Sequence, residues 1–561
     1  MKGKSGIDRP WLKSYPEGVP AELPKPPFKS LLHMIDHCLH EFADRPAYSC
    51  MGTTFSYRDV DRQSRNFAAY LQRSLSLTKG QRVAIMLPNI LQYPVVLFGV
   101  FRAGLVAVNV NPLYTSRELK HQLQDSGAAA IVVLENFAHV LGEIVDDTPV
   151  RHIVTTRVGD FLSFPRRPLV NFVVRYIKRA VPKYRLPTAV SMKTAIATGE
   201  EQTHTPVQLG YADIAFLQYT GGTTGVSKGA MLSHRNMVYN VHQSKAWQAG
   251  VFDKLDHLVA ITALPLYHVF SLEANCLGIL LDGGHNILIP DPRDMKGFVK
   301  EMGRYPFVYM TGVNTLFAGL INTPGFRALD FSHLRLTIGG GMAVQESVAR
   351  RWKEITGKTI VQAYGLTETS PAAIINRLDG NDFSKALGLP ISSTDVCICT
   401  DDGRKLAYGE IGEICIRGPQ VMEGYWQRPE ETASVMFEGG WLRTGDVGRM
   451  DQDGYVFIED RKKDMILVSG FNVYPNEIES VVAELPGVLE VAAIGMPHEK
   501  SGEVVKLFVV RKDPSLTEEQ VIAYSRENLT GYKVPKEVVF RDELPKTNVG
   551  KILRRALRDE Q

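Results

Sequence analysis

The sequence has few cysteines and lacks any long apolar run. Its 561 residues include six cysteines, and Cys397 and Cys399 fit one face of a strand better than a metal-binding knuckle. No segment approaches the roughly 20 apolar residues of a membrane-spanning helix, and residues 1–27 have no apolar signal-peptide core. We therefore expect a protein of the reducing cytoplasm, with peripheral contact at the inner face of the cell membrane left open.

The sequence also lacks an excess of charge of one sign. Its 64 Lys and Arg residues nearly balance 61 Asp and Glu residues, for a formal net charge of +3. Nucleic-acid binding needs a concentrated positive surface, and the known DNA- and RNA-reading motifs are missing. We therefore expect no nucleic-acid partner. The 44% hydrophobic and 22% charged residues are typical of an ordinary globular protein.

Short apolar runs alternate with helical patterns along most of the chain, which is typical of an α/β fold. The runs lie at 83–87, 106–110, 129–133, 214–218, 258–263, 286–289, 307–310, 334–338 and 359–363. This rhythm predicts a large domain of two parallel-type sheets, with the active site at the carboxyl ends of the strands. After about Pro390, short strands with polar turns predict a small β-rich unit.

The length of the chain predicts at least two packed domains. A charged segment at 460–464 precedes a last stretch with its own α/β pattern, which is of ordinary domain size. We predict an N-terminal extension at 1–29, a large domain at 30–459 whose residues 390–459 form the β-rich subdomain, a connector at 460–465 and a C-terminal domain at 466–561.

Residues 219–229, with the sequence YTGGTTGVSKG, form the segment that points most directly to chemistry. They follow a predicted strand and precede a helical pattern that starts at Ser233. Four glycines let the backbone approach a polyphosphate, while four hydroxyls and Lys228 supply donors and positive charge. The spacing differs from a Walker A loop. A bare Gly/Thr loop could equally be a flexible polar turn, but the whole string favours phosphate binding.

This string resembles the phosphate-binding signature of the adenylate-forming superfamily, which includes acyl-CoA synthetases, luciferases and the adenylation domains of peptide synthetases. Companion segments follow in the same order at 263–270, 339–342, 364–369, 441–446, 460–464 and 545–551. The resemblance spans the chain from about Ser30 to Arg555. It implies that residues 30–459 are an AMP-binding domain, that 460–465 are a hinge, and that the C-terminal domain is mobile.

The resemblance also implies an ATP site. Its expected residues are Thr220, Gly221, Gly222, Thr223, Thr224, Gly225, Ser227, Lys228, Gly340, Gly341, Tyr364, Gly365, Thr367, Glu368, Asp446, Arg461 and Lys551. In the family, the aromatic ring lies against adenine, the threonine of the same motif contacts the α-phosphate, and the acidic residue, here Glu368 with Thr220, binds Mg²⁺. Asp446 would accept both ribose hydroxyls with help from Arg461.

Four residues are expected to be catalytic by the same resemblance: Lys551, Thr220, Glu368 and His268. Three of these residues, and Asp446 of the ATP site, also have an ordinary structural alternative. A histidine in an apolar stretch is more often a core residue, a terminal lysine and a loop glutamate are more often solvated, and Asp446 in a Thr-Gly-Asp turn could be a cap. The surrounding strings favour the functional roles. Lys463, Ser469 and Gly470 are expected at the hinge and the coenzyme A site.

Two segments, at 439–463 and 469–477, resemble the bacterial long-chain fatty acid–CoA ligases. The resemblance implies ATP-dependent ligation of a long-chain fatty acid to coenzyme A through an acyl-adenylate, with release of AMP and pyrophosphate. Gly439 stands where those enzymes commonly carry Asn, so the preferred chain length stays open. A medium-chain or aryl acid–CoA ligase, a luciferase and a non-catalytic fatty-acid uptake protein remain alternatives. The apolar stretch Ser271 to Leu281 fits an acyl tunnel or a core helix.

Residues 169–185 combine basic and apolar side chains without any acid. Such a basic amphipathic helix is typical of a segment that lies on an anionic membrane surface. A charged surface helix packed on its own domain explains the pattern equally well. Self-association into a homodimer is also left open.

Overall fold

The computed structural model describes residues 8–220, 227–252, 255–380, 382–469, 471–498, 501–547 and 550–560. Its strands are β1 (Pro46–Cys50), β2 (Thr53–Ser56), β3 (Arg82–Met86), β4 (Val106–Asn109), β5 (Ala130–Leu134), β6 (His152–Thr156), β7 (Val190–Ser191), β8 (Ile214–Thr220), β9 (Lys228–Ser233), β10 (Val259–Thr262), β11 (His285–Leu288), β12 (Tyr309–Gly312), β13 (Leu336–Gly340), β14 (Ile360–Gly365), β15 (Ala372–Ile375), β16 (Leu389–Pro390), β17 (Asp395–Cys399), β18 (Gly412–Arg417), β19 (Met436–Phe437), β20 (Trp441–Met450), β21 (Val456–Arg461), β22 (Ile466–Val468), β23 (Phe471–Val473), β24 (Val488–His498), β25 (Gly502–Arg511) and β26 (Glu537–Arg541).

The α-helices alternate with these strands over most of the chain. They are α1 (Leu31–Glu41), α2 (Tyr57–Ala69), α3 (Gln92–Arg102), α4 (Ser116–Ser126), α5 (Ala138–Gly142), α6 (Arg166–Phe172), α7 (Met192–Glu200), α8 (His234–Trp247), α9 (Val269–Ser271), α10 (Gly278–Leu281), α11 (Met295–Met302), α12 (Asn314–Ile321), α13 (Glu346–Thr356), α14 (Pro429–Val435), α15 (Pro475–Val482), α16 (Glu518–Asn528) and α17 (Arg554–Asp559). Local capping explains several starts: the Thr115 hydroxyl accepts the Glu118 amide while the Glu118 carboxylate accepts the Thr115 amide.

Short 3₁₀ and π segments extend or join these helices, at Pro10–Ser14, Tyr70–Ser74, Glu135–Phe137, Val145–Asp147, Val173–Ile177, Leu272–Leu277, Phe326–Ala328, Thr367–Thr369 and Gly531–Lys533. In the part of the chain that the structure describes, no helix is both long and apolar enough to cross a bilayer.

Two large sheets organise the first part of the chain and confirm the predicted α/β class. One has seven strands in the order β7-β6-β5-β3-β4-β8-β9, and the other has nine in the order β16-β15-β14-β13-β12-β10-β11-β1-β2. Their central pairs are parallel, whereas β9 pairs antiparallel with β8, and β15 pairs antiparallel with β14. The central strands β3, β4 and β5 are buried along almost their whole length, which explains their apolar runs.

Two smaller sheets follow. The first joins β17, β18, β20, β19 and β21 by antiparallel pairing, and the second joins β23, β22, β25, β24 and β26. The second sheet has its own apolar core, which includes Ile466, Ile478, Leu507 and Val538. The N-terminal residues that the structure describes pack on the β-rich sheet, since Trp11 is buried and the Arg9 Nε atom lies 2.7 Å from Asp395 Oδ1.

Candidate functional site

Strands β8 and β9, which carry the two ends of the glycine-rich segment, pair antiparallel. Thr220 closes β8, Lys228 opens β9, and the two residues face each other in antiparallel register. The predicted residues Gly221, Gly222, Thr223, Thr224 and Gly225 lie outside the described residues. Thr220 and Lys228 therefore lie at the carboxyl end of β8, which pairs parallel with β4, and this is where α/β sheets place ligands.

Strand β9 was not predicted from the sequence. It places a strand between the glycine-rich segment and α8, whose helical pattern was recognised from Ser233. Ser233 caps α8, and its hydroxyl accepts the Asn236 amide. The predicted site residue Ser227 precedes β9, and its carbonyl accepts a hydrogen bond from His121 Nε2 at 3.0 Å. The short β9 thus fixes the second end of the glycine-rich segment.

Tyr364, Asp446 and Arg461 come together from three strands. The Tyr364 hydroxyl donates to Asp446 Oδ2 at 2.7 Å, and Arg461 Nε lies 3.3 Å from Asp446 Oδ1. Asp446 and Arg461 are register partners in β20 and β21. Burial, together with the charge of Asp446, raises the pKa of Tyr364 well above its ordinary value, so the phenol stays a neutral donor. The carboxylate is thus oriented from both sides.

Glu368 lies on the Thr367–Thr369 turn that follows β14. The predicted residue Gly365 ends β14, and the predicted residue Thr367 begins the turn. The Glu368 Oε1 atom accepts a hydrogen bond from the Tyr425 hydroxyl at 2.6 Å. The Lys228 ammonium lies 5.1 Å from the centroid of the Tyr425 ring. Tyr425 therefore connects the end of the glycine-rich segment with Glu368. Tyr425 was not identified from the sequence, because its partners are remote along the chain.

Three glycines let neighbouring backbone or side-chain atoms approach closely around the site. A Cβ on Gly365 would lie 1.8 Å from the Pro371 carbonyl, and one on Gly340 would lie 2.9 Å from the Ala363 carbonyl. Gly341 has φ +78°, and a Cβ there would lie 3.1 Å from Lys551 Cε. A larger residue at Gly365 would displace the turn that carries Glu368.

Lys551 reaches this site from near the end of the chain. Its side chain packs on Gly341, and the preceding carbonyl of Gly550 accepts a hydrogen bond from Thr315 Oγ1 at 2.9 Å. Burial and then the Arg461 charge lower the pKa of Lys551 to about 8, against the opposing effects of Asp446 and Glu368. The structure therefore brings the predicted lysine, aspartate, arginine and glutamate into one electrostatic environment.

His268 caps the short helix α9 at the edge of the same region. Its Nδ1 accepts the Phe270 amide at 3.4 Å, and the side chain is half-buried. Burial, and then the Lys551 charge, lower the pKa of His268 to about 3, so the imidazole is neutral at physiological pH. A neutral ring can orient a bound group through hydrogen bonds without adding charge.

Buried amide side chains hold the segment that leads to His268. Asn89 Nδ2 donates to the Thr262 carbonyl at 3.0 Å and to the Leu264 carbonyl at 2.9 Å. Gln218 Nε2 donates to the Tyr267 carbonyl at 2.7 Å. These two residues were not singled out from the sequence, since a buried Asn or Gln carries no local pattern.

Most of the stretch after His268 is buried, and it includes the π segment Leu272–Leu277. Glu273 is among its buried residues, and burial raises the pKa of that carboxyl to about 8. Asn275 accepts from Thr311 Oγ1 at 2.7 Å. The stretch has the packing of a core helix, and its use as an acyl tunnel stays a prediction.

An open cleft of about 570 Å³ lies beside Glu368. Its lining includes Leu366, Tyr425, Leu442, Thr444 and Lys462. In the described part of the chain, no three His, Cys, Asp or Glu side chains are arranged to hold a metal ion. A divalent cation here would have to share one carboxylate with hydroxyl and phosphate oxygens, as Mg²⁺ commonly does.

The connector has different partners before and after Lys463. The Lys462 amide donates to the Gly445 carbonyl at 3.1 Å, whereas Asp464 pairs with Arg558 of α17 at 2.8 Å. Burial, together with the Arg461 charge, lowers the pKa of Lys463 to about 8. Ser469 donates its amide to the Ser501 carbonyl at 2.7 Å, within the C-terminal strands. Gly470 lies outside the described residues.

Comparisons with known proteins match most of the chain. The family model described as AMP-binding enzyme matches residues 35–426, and that of the AMP-binding enzyme C-terminal domain matches residues 477–551. The chain is 56% identical over 550 residues to a long-chain-fatty-acid--CoA ligase of Escherichia coli O157:H7, covering 98% of each chain. It is 37% identical over 560 residues to the protein of that name from Bacillus subtilis, covering 99% of this chain and 98% of the relative.

A solved structure has the same fold. It is ATP-bound MatB from Rhodopseudomonas palustris, with a TM-score of 0.80 and 29% identity, covering 95% of this chain and 99% of that one. These matches extend over both the large sheets and the C-terminal sheet.

Proposed function

Because the chain belongs to the family of AMP-binding enzymes, we propose that it joins a long-chain fatty acid to coenzyme A through an acyl-adenylate, releasing AMP and pyrophosphate. The observation that carries the proposal is the convergence of Lys551 with Gly341, Asp446 and Arg461. An anionic nucleotide at this point would meet a buried cation, a carboxylate suited to ribose hydroxyls and an aromatic ring.

The first step is attack of the fatty-acid carboxylate on the α-phosphorus of ATP. We assign Asp446 and Arg461 to the ribose, Tyr364 to the adenine, and the segment from Thr220 to Lys228, with Gly340, Gly341, Gly365 and Thr367, to the phosphates. Lys551 stabilises negative charge that grows during the attack, and neutral His268 orients the incoming carboxylate. The low pKa of His268 supports a role in positioning over one in proton transfer.

Mg²⁺ fits the donor set that Glu368 and Thr220 provide, since it prefers hard oxygen ligands and keeps few protein ligands when phosphates are present. Bound there, it would neutralise phosphate charge. Tyr425 donates to one Glu368 oxygen and so fixes the orientation of the carboxylate.

In the second step, the thiolate of coenzyme A attacks the acyl carbon and displaces AMP. We propose that the C-terminal domain, residues 466–561, first turns about Lys463 within the hinge 460–465 and brings Ser469 and Gly470 to the pantetheine arm. The separate partners of Lys462 and Asp464 support this pivot. The large domain at 30–459, with its β-rich part at 390–459 and the extension 1–29, would stay together.

The decisive test compares palmitate, octanoate and benzoate as substrates for pyrophosphate release and CoA-ester formation, with Mg²⁺ titrated in parallel. We expect palmitate to give the highest kcat/KM. A preference for octanoate or benzoate would favour the medium-chain or aryl alternatives. Absence of acid-dependent pyrophosphate release would favour a non-catalytic fatty-acid-binding protein.

A cytoplasmic location with peripheral contact to anionic lipid is a further part of the proposal. It is supported by exposed apolar side chains before, along and after α6, of which Phe164 is 84% and Ile177 is 65% exposed. The helix is shorter than the sequence pattern suggested, since it ends with the π segment Val173–Ile177. Self-association into a homodimer also stays a prediction, to be checked by light scattering.

A further inference from the structure

Arg554 lies where the connector meets the loop that carries Lys551. It is the first residue of α17, three positions after Lys551. Its Nη1 is 3.3 Å from Asp460 Oδ1 and 3.4 Å from Asp464 Oδ2, and its Nη2 is 2.7 Å from Glu479 Oε2. The arginine therefore contacts carboxylates on both sides of Lys463.

Asp460 is the unusual partner among these carboxylates. It belongs to β21, beside Arg461 and opposite Val447 of β20. Its side chain is fully buried, and its Oδ2 accepts the Asn476 amide at 2.8 Å. Apart from the Arg461 amide, the groups that satisfy Asp460 come from beyond the connector.

A turn of the C-terminal domain about Lys463 would separate these groups. Asp464 and Glu479 would move with Arg554, whereas Asp460 would stay with β20. A buried carboxylate left without its arginine is costly, so this contact favours the arrangement in which Lys551 lies against Gly341.

We propose that Arg554 is a positioning residue for adenylate formation, which it promotes by pairing with Asp460 across the connector and so holding Lys551 at the site. This inference rests on the proposed function. Under this proposal, the pair of Arg554 with Asp460 acts in adenylate formation alone, because it must separate before thioester formation.

The test measures the two halves separately in Arg554→Gln and Asp460→Asn. We expect fatty-acid-dependent ATP–pyrophosphate exchange to fall at least about tenfold in each, as misplacement of a catalytic group by a small distance does. Formation of acyl-CoA from pre-made acyl-adenylate should be retained or become faster. Arg554→Lys, which keeps the charge but loses the forked geometry, should fall between wild type and Arg554→Gln.

Arg558→Gln is the matched control, since Arg558 lies on the same helix and pairs with Asp464 beyond Lys463. This variant should leave the ratio of the two rates, pyrophosphate exchange and acyl-CoA formation from pre-made acyl-adenylate, unchanged. If Arg554→Gln does not fold, as judged by thermal unfolding, Asp460→Asn still decides, because it keeps an acceptor for the Asn476 amide.

Equal losses in both assays, or unchanged exchange, would overturn the proposal. Wild-type protein that exchanges pyrophosphate with none of the acids would instead reject the proposed function, and this inference with it.

Discussion

At the scale of single residues, Lys551 is subject to opposing electrostatic effects. Burial disfavours its charged form and Arg461 repels it, while Asp446 and Glu368 favour the ammonium. The resulting pKa of about 8 lies below the ordinary value of 10.5. The charge of a lysine with this pKa depends on pH within the working range of many enzymes.

We predict that kcat/KM for fatty-acid-dependent ATP–pyrophosphate exchange falls as pH rises through about 8. The ammonium that stabilises the transition state is lost there, and kcat/KM reports groups of the free enzyme. Measuring exchange without coenzyme A avoids titration of its thiol. His268, with a pKa of about 3, should add no inflection near neutrality.

Two variants check that this inflection belongs to Lys551. Lys551→Arg keeps its charge at all accessible pH values and should lose the descending limb. Lys551→Ala should be slower by about a hundredfold below pH 8, the scale of removing one preorganised group, and the difference should narrow at higher pH as wild type loses its ammonium. It should still convert pre-made acyl-adenylate to acyl-CoA at a near-normal rate. An inflection that persists in both variants would assign it to another group.

At the scale of elements, the apolar runs located the parallel strands because both faces of those strands are buried. The run at 106–110 corresponds to β4, and that at 359–363 to β14. Strand β9 escaped prediction because its residues continue the polar glycine-rich string. The placement of β1 beside β11 could not be foreseen, since the two strands are remote in sequence.

The same distinction applies to the site. Thr220, Glu368, Asp446 and Lys551 belong to contiguous strings that can be recognised one at a time. Tyr425 and Asn89 matter through partners that folding alone brings near, such as Glu368 for Tyr425. A contact of this kind leaves no signal in a single sequence.

The helix α6 and the π segment after it form the element that carries the membrane proposal. Phe172, Tyr176 and Ile177 are exposed, and Lys178 and Arg179 follow them. Arg175 has a different role from the one its place in the basic pattern suggested, since it pairs with Glu135 at 3.2 Å. Membrane contact would therefore depend on the exposed apolar residues together with the two later cations.

We predict that the double variant Lys178→Gln with Arg179→Gln binds vesicles containing phosphatidylglycerol about tenfold or more weakly, as measured by sedimentation. Each cation contributes about 1 kcal/mol near an anionic surface. Replacing Phe172 and Ile177 with serine should weaken binding in high salt as well, because apolar contact is not screened. Ile411→Ser, which removes a 48% exposed side chain elsewhere, is the control. Equal binding by all variants would reject this surface.

At the scale of the whole molecule, three contacts among the described residues join the end of the chain to residues that precede Lys463. They are the Lys551 side chain on Gly341, the Thr315 hydroxyl to the Gly550 carbonyl, and the pair of Arg554 with Asp460. All three support the arrangement that we assign to adenylate formation. Each would have to be given up if the C-terminal domain turned before coenzyme A reacts, so the contacts should be exclusive to the first step.

A disulfide between Thr315→Cys and Gly550→Cys tests this exclusivity. A Cβ on Gly550 would lie 2.7 Å from Thr315 Oγ1, so the two cysteines are within reach of each other, although φ +82° at Gly550 adds strain. The six natural cysteines are buried, which favours selective oxidation of the introduced pair. We expect the oxidised variant to keep most of its pyrophosphate exchange and to lose acyl-CoA formation by at least about tenfold, because the domain can no longer turn.

Reduction should restore acyl-CoA formation, and each single-cysteine variant should respond to neither treatment. If the oxidised variant makes acyl-CoA as fast as the reduced one, the two half-reactions do not require the domain to move.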